Sequence, residues 1–172
     1  MSRFLAHYFL LTVSAALVNA VEVRLETLES LAGDEETLVF YDLKLIGRER
    51  RFNGTIRLLM DLDDSVDSNG ELWTFKNGEW VKSNFKQQGK SCRIFNTFMT
   101  HYFKDEIKKT DFPDPLCPLP KGIYPIRNIK LNGDSWPPYL GRGLTKVKFT
   151  FHKNDKMVGG IIFSMNLIDE HI

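Results

Sequence analysis

The chain has 172 residues, 23 Lys and Arg against 22 Asp and Glu, and a formal net charge of +1. Charge so evenly balanced and so scattered excludes a nucleic-acid or polyanion footprint and an electrostatic hold on anionic membranes. With two Cys and four His in all, the chain also lacks the ligand clusters of a structural metal module.

Residues 1–20 read as a secretory signal. Arg3 gives the positive start, Phe9 to Val18 is a short apolar run, and Val18-Asn19-Ala20 offers small residues for cleavage. The run is about half the ~20 residues that cross a bilayer as a helix, and no later stretch is longer. The expectation is a signal peptide, 1–20, followed by one secreted, extracellular domain, 21–172, with no membrane span. Those 152 residues can bury a single sizeable core, and loss of Arg3 brings their formal charge to zero. In an oxidising compartment Cys92 and Cys117 form one disulfide. It closes a loop of 24 intervening residues, worth about 3 kcal/mol in the chain-entropy picture.

Alternation of apolar and polar residues dominates the chain from residue 21 onward. Strands are predicted at Glu22–Leu28 and Thr37–Ile46, then at Arg51–Leu62. There Phe52, Ile56, Leu58, Met60 and Leu62 share the inward parity, and Asn53 points out. Asn53-Gly54-Thr55 is a glycosylation sequon, and an outward Asn53 suits a glycan. Further strands are predicted at Leu72–Lys76, Glu79–Phe85 and Ile123–Leu131, with Asn69-Gly70 and Asn77-Gly78 as turns. From Ser91 to Lys109 the pattern changes to a stripe of Ile94, Phe95, Phe98, Met99, Tyr102, Phe103 and Ile107. That is an amphipathic helix, with Ser91 as N-cap and Pro113 beyond its end. Leu144–His152 and Met157–Leu167, joined at Lys153-Asn154-Asp155-Lys156, form a C-terminal hairpin. The expected fold is mainly β, a two-sheet immunoglobulin-like sandwich of seven or eight antiparallel strands with one helix.

Chemistry-bearing motifs are few. Asp61 to Trp73 suggests a calcium loop, but with Gly70 as the loop glycine the closing Glu position falls on Lys76. A solvated hairpin loop is expected instead. His101, His152 and His171 stand in no nucleophile setting, and no G-x-S-x-G elbow or free Cys exists. Gly141-Arg142-Gly143 precedes a strand rather than a helix, so it is a turn and not a phosphate loop. No catalytic residue, cofactor or metal ligand is assigned, and a non-enzymatic role is expected.

The informative feature is apolar: residues 21–172 hold 18 aromatics. Trp136-Pro137-Pro138-Tyr139-Leu140 places bulky rings in a segment that its prolines keep out of a sheet. Inward rings either fill a core or wall a pocket, and the residues alone leave both open.

A wider pattern narrows this. Cys92 opens the helix, Cys117-Pro118 is followed by Lys121-Gly122-Ile123-Tyr124, and Gly143 leads into an alternating strand and the final hairpin. Upstream lie the Asn53 sequon and the Asn77-Gly78-Glu79-Trp80 turn. Together these resemble an uncharacterised insect family of secreted proteins, distantly related to the ML (lipid-recognition) domain and to ganglioside activator proteins. Chemosensory proteins of fly taste bristles are similar. The resemblance covers nearly all of 21–172. It implies a β-cup whose sheets splay to admit one acyl chain or another apolar ligand, no enzymatic chemistry, and the Cys92–Cys117 bridge. A departure is that many ML proteins carry several disulfides, whereas this chain can form one.

The expected ligand is therefore a lipid or other hydrophobic small molecule. Ile56, Leu58, Met60, Phe75, Phe149, Phe151, Ile161, Phe163 and Met165 would line its site; Tyr102, Trp136 and Tyr139 would gate it. The rival expectation is a recognition module with a filled core, binding a receptor or cell-surface partner through the 134–142 loop.

Overall fold

The computed structural model describes residues 21–133, 136 and 141–169. The expected signal, Tyr139 and most of the 134–142 loop lie outside the described residues.

Eight strands carry the fold: β1 (Val21–Leu31), β2 (Val39–Ile46), β3 (Arg51–Leu58), β4 (Asp67–Lys76), β5 (Glu79–Lys90), β6 (Gly122–Ile129), β7 (Gly143–Lys153) and β8 (Lys156–Asp169). They form one open mixed sheet in the order β5-β4-β7-β8-β2-β3-β6, with β1 also on β8. The C-terminal hairpin is the longest element pair, and Asn154 and Asp155 turn it with φ of 51° and 63°. Positive φ at both central residues matches the twist of the flanking strands. Asn77-Gly78 does the same between β4 and β5, with φ of 53° and 86°.

Strand pairing is antiparallel with one exception, Val39↔Gly159, where β2 meets β8 in parallel. The same edge of β8 carries β1 from Gly160 to Asp169. A strand has two edges, so β1 and β2 share one, and a single residue pair joins β2-β3-β6 to the rest. Gly159 is required there: its φ is +137°, and a Cβ would lie 2.2 Å from the Val39 carbonyl oxygen.

Three expectations need correcting. Asn69-Gly70 is not a turn but mid-β4, paired with Gln88 and Gln87 of β5 and with Thr150 and Phe149 of β7. The glycine makes room for a ring, since a Cβ on Gly70 would stand 3.3 Å from Phe149 Cδ2. The true connection lies upstream, where Ser65 N–H donates to Asp63 Oδ1 at 2.8 Å. Bonding by Ser65, side chain first and backbone next, holds the exposed Asp63 carboxyl below its ordinary range.

Second, the helical segment is not one regular helix. It runs as α1 (Ser91–Ile94), a π-helical stretch (Phe95–Met99) and α2 (Thr100–Tyr102), breaks at Phe103, and resumes as α3 (Lys104–Ile107). The apolar pairs Ile94-Phe95, Phe98-Met99 and Tyr102-Phe103 recur every fourth residue. The wider π turn falls in the middle of this stripe, over Phe95–Met99. Third, Ser91 is not the N-cap. It is the first helical residue, fully buried, and its hydroxyl donates to Val66 O at 2.9 Å and meets Ser68 Oγ at 2.7 Å.

Strand β3 ends at Leu58, short of the predicted Leu62, because Leu62 leaves to bridge Leu119. The inward parity otherwise holds: Phe52 and Leu58 are buried on β3, and Ile161, Phe163, Met165 and Leu167 on β8.

Candidate functional site

The buried side chains form two clusters. One gathers Val39, Leu58, Leu62, Val66, Phe95, Leu119, Phe151 and Val158; the other gathers Val23, Leu25, Phe52, Ile126, Phe163, Met165 and Leu167. Tyr41, Ile56, Phe112 and Phe149 pack against both clusters, yet each stays only half-buried. They stop short of full burial because a cavity of about 200 Å³ lies between the clusters, and all four line it. A filled core would bury the residues at its centre most deeply. Here the centre is empty.

Walls come from three sources. Strands β2, β3 and β6 supply Tyr41, Leu43, Phe52, Ile56, Leu58, Ile126 and Ile129; β7 and β8 supply Val147, Phe149, Phe151, Ile161 and Phe163. The helical segment and the chain after it close the remaining side with Phe95, Phe98, Met99, Phe103, Ile107, Phe112, Leu116 and Leu119. The wall holds eight Phe rings, several in edge-on contact: Phe52 with Phe163 at 6.0 Å, Phe149 with Phe151 at 5.2 Å, Phe95 with Phe151 at 6.2 Å.

The disulfide Cys92–Cys117 holds this closing side together. It ties α1, just before Phe95, to the segment carrying Leu116 and Leu119, so both halves of the apolar cover are fastened to each other. The bridge expected from the cysteine count is present.

Among the described residues the polar groups in the wall are Tyr41, Glu106 and Thr110. The Tyr41 hydroxyl makes no hydrogen bond to any described residue, and its apolar enclosure pushes the phenol well above its ordinary value. Thr110 is satisfied locally, donating to Ile107 O at 2.6 Å. Glu106, 6% exposed, accepts the Asn132 backbone N–H on Oε1 at 2.6 Å. No three His, Cys, Asp or Glu side chains gather into a cation-binding group among the described residues.

Of the residues expected to line a ligand site, Ile56, Leu58, Phe149, Phe151, Ile161 and Phe163 stand together on this wall. Met60 and Met165 do not: both are buried in the flanking clusters. Phe75 lies elsewhere, 44% exposed and 5.2 Å from the Trp80 ring. Pairing of β4 with β7 ends at Thr74, so Phe75 is paired only with Trp80 of β5 among the described residues. Tyr102 is off the wall, stacked on Phe98 at 4.8 Å; Trp136 backs it from outside, packed on Phe103 at 5.7 Å. Asn53 sits half-buried on β3 opposite Lys44, at a position that the β3–β6 register skips.

Glu106 was readable and missed. On the regular helix expected over this stretch it stands three residues after Phe103 and seven after Met99, on the apolar side; the observed break at Phe103 leaves it in the wall. Tyr41, Phe112, Leu116 and Leu119 carried no such signal, because facing the cavity depends on where their segments pack.

Residues 71–147 match the family described as "Protein of unknown function (DUF1091)". The DUF1091 match runs from β4 to β7 and so contains the helical segment, both cysteines and the Lys121-Gly122-Ile123-Tyr124 stretch. This part of the chain is similar to an uncharacterised domain family. No curated protein matches the chain. Among the described residues no helix is long and apolar enough to cross a membrane.

Proposed function

We propose that the protein is a secreted, non-enzymatic carrier of a lipid or other hydrophobic small molecule, held in the cavity between the two core clusters. One observation carries this reading: the space is walled by apolar side chains apart from Tyr41, Glu106 and Thr110. At about 200 Å³ it lies between an engineered void that binds benzene, about 150 Å³, and drug-sized pockets of about 300–1,000 Å³. It suits one alkyl chain or small ring system. Binding then draws on apolar area removed from water, at roughly 25 cal/mol per Å².

In this reading the sheet folds at the Val39↔Gly159 junction into two leaves, β5-β4-β7-β8-β1 and β2-β3-β6, that face each other across the ligand. The arrangement is an ML-like cup, a distant relation that the DUF1091 likeness leaves open. The disulfide fits passage through an oxidising export route, and Asn53 would carry the glycan. A chemosensory cue is one suitable cargo.

The test is to express the full chain in insect cells, purify the secreted product and extract it for mass spectrometry. Reproducible recovery of one lipid class, absent from a control protein, is expected. A blank extract, together with no uptake of a neutral apolar dye, would overturn the proposal in favour of the filled recognition module.

A further inference from the structure

We infer that Glu106 selects the ligand's polar end: it favours an amphiphile whose head donates a hydrogen bond, a long-chain alcohol above all, over a fatty acid of the same length. The inference rests on the carrier reading and adds the head-group chemistry. Glu106 is buried, lies in the cavity wall, and has no cation partner among the described residues. One carboxylate oxygen takes the Asn132 N–H at 2.6 Å, which orients the group; the other makes no hydrogen bond to any described residue. A carboxylate only accepts, and a buried acceptor left unpaired costs free energy that a donor from the ligand relieves.

Of the other polar wall groups among the described residues, Thr110 commits its hydroxyl hydrogen to Ile107 O, and Tyr41 enters the wall from β2 rather than from the helical segment. A fatty acid brings a second carboxyl group to the site, and the pair must share a proton to lie side by side, a cost that an alcohol does not meet. A hydroxyl donates to Glu106 and keeps acceptor lone pairs. A further unpaired polar atom lies at this end of the molecule: the indole Nε1 of Trp136 is buried without an acceptor among the described residues, and its ring packs on Phe103, one helical turn before Glu106.

The test uses the full secreted chain, stripped of lipid and loaded with the neutral dye N-phenyl-naphthylamine. Decanol, decanoate and decane then compete for it at neutral pH. Decanol should displace the dye at about tenfold lower concentration than decanoate, the scale of one hydrogen bond to a charged group. In Glu106→Gln, which keeps an oxygen for Asn132 and adds a donor, the preference should shrink at least about threefold while decane is unaffected. Equal displacement by decanol and decanoate in the unmodified protein, or a preference for decanoate, overturns the inference and leaves the carrier reading intact. Failure of the dye and all three competitors to bind overturns both. Because any apolar cavity favours an alcohol over a charged carboxylate, the Glu106→Gln comparison decides: decane displacement shows that the variant is folded, and an unchanged preference in it overturns the inference.

Discussion

Filling the cavity from the protein side gives a result of opposite sign in a hollow and in a packed molecule. Val147 is suited to this: it is half-buried in the wall on β7, opposite Leu72 of β4 and Phe163 of β8. Apolar atoms added into the cavity of about 200 Å³ stabilise by up to about 24 cal/mol per Å³ that they fill. If the added ring atoms of Val147→Phe occupy about a quarter of that space, the lipid-free variant should gain about 1 kcal/mol. For a domain of this size that is a rise of about 2–4 °C in melting temperature. Urea unfolding of the lipid-free protein measures the gain, and titration with N-phenyl-naphthylamine measures the loss in binding, expected to be at least about tenfold. The two changes must come together, because they report the same space. A loss of about 1–3 kcal/mol, the penalty for overpacking a full core, with dye binding unaltered, would refute the reasoning.

Replacing both cysteines by Ala should cost about 3 kcal/mol in urea unfolding, from the 25-residue separation that the bridge spans; it should also hasten dye release, because the two halves of the apolar cover are then no longer fastened to each other. Gly159→Ala should destabilise by about 1–3 kcal/mol, since a Cβ at φ +137° meets the Val39 carbonyl at the one pair joining the two strand groups; a Gly47→Ala control, whose Cβ has open space, should cost less. Burial raises the Tyr41 phenol, and burial followed by the Asp61 charge raises Tyr124. Both groups therefore bind protons more tightly folded than unfolded, so their contribution is whole below pH ~10 and is lost as pH climbs beyond it. Tyr41→Phe should flatten the alkaline fall in urea-measured stability, and an unchanged slope would show that the phenol is not enclosed.

How much of this was legible in the residues differs by element. The hairpin β7–β8 was readable nearly to its ends, because Val147, Phe149, Phe151, Ile161 and Phe163 alternate without interruption and Asn154-Asp155 supplies the turn. Asn69-Gly70 misled for a physical reason: the same pair that turns a chain also makes room in a strand, and only the Phe149 ring across the gap distinguishes the two uses. The helical stripe was visible, whereas its π-helical stretch and the break at Phe103 left no mark on the apolar spacing.

The candidate site divides in the same way. By itself, the order of residues determined the face that most strand side chains take and that Cys92 and Cys117 can pair; periodicity and composition are local or additive and need no coordinates. Which inward side chains meet partners and which face empty space was decided only by tertiary packing. Met165 and Phe163 share a strand, a parity and a buried cluster, yet Met165 is fully enclosed while Phe163 also walls the cavity. Alternation reports the face that a side chain takes, and says nothing of what stands opposite it.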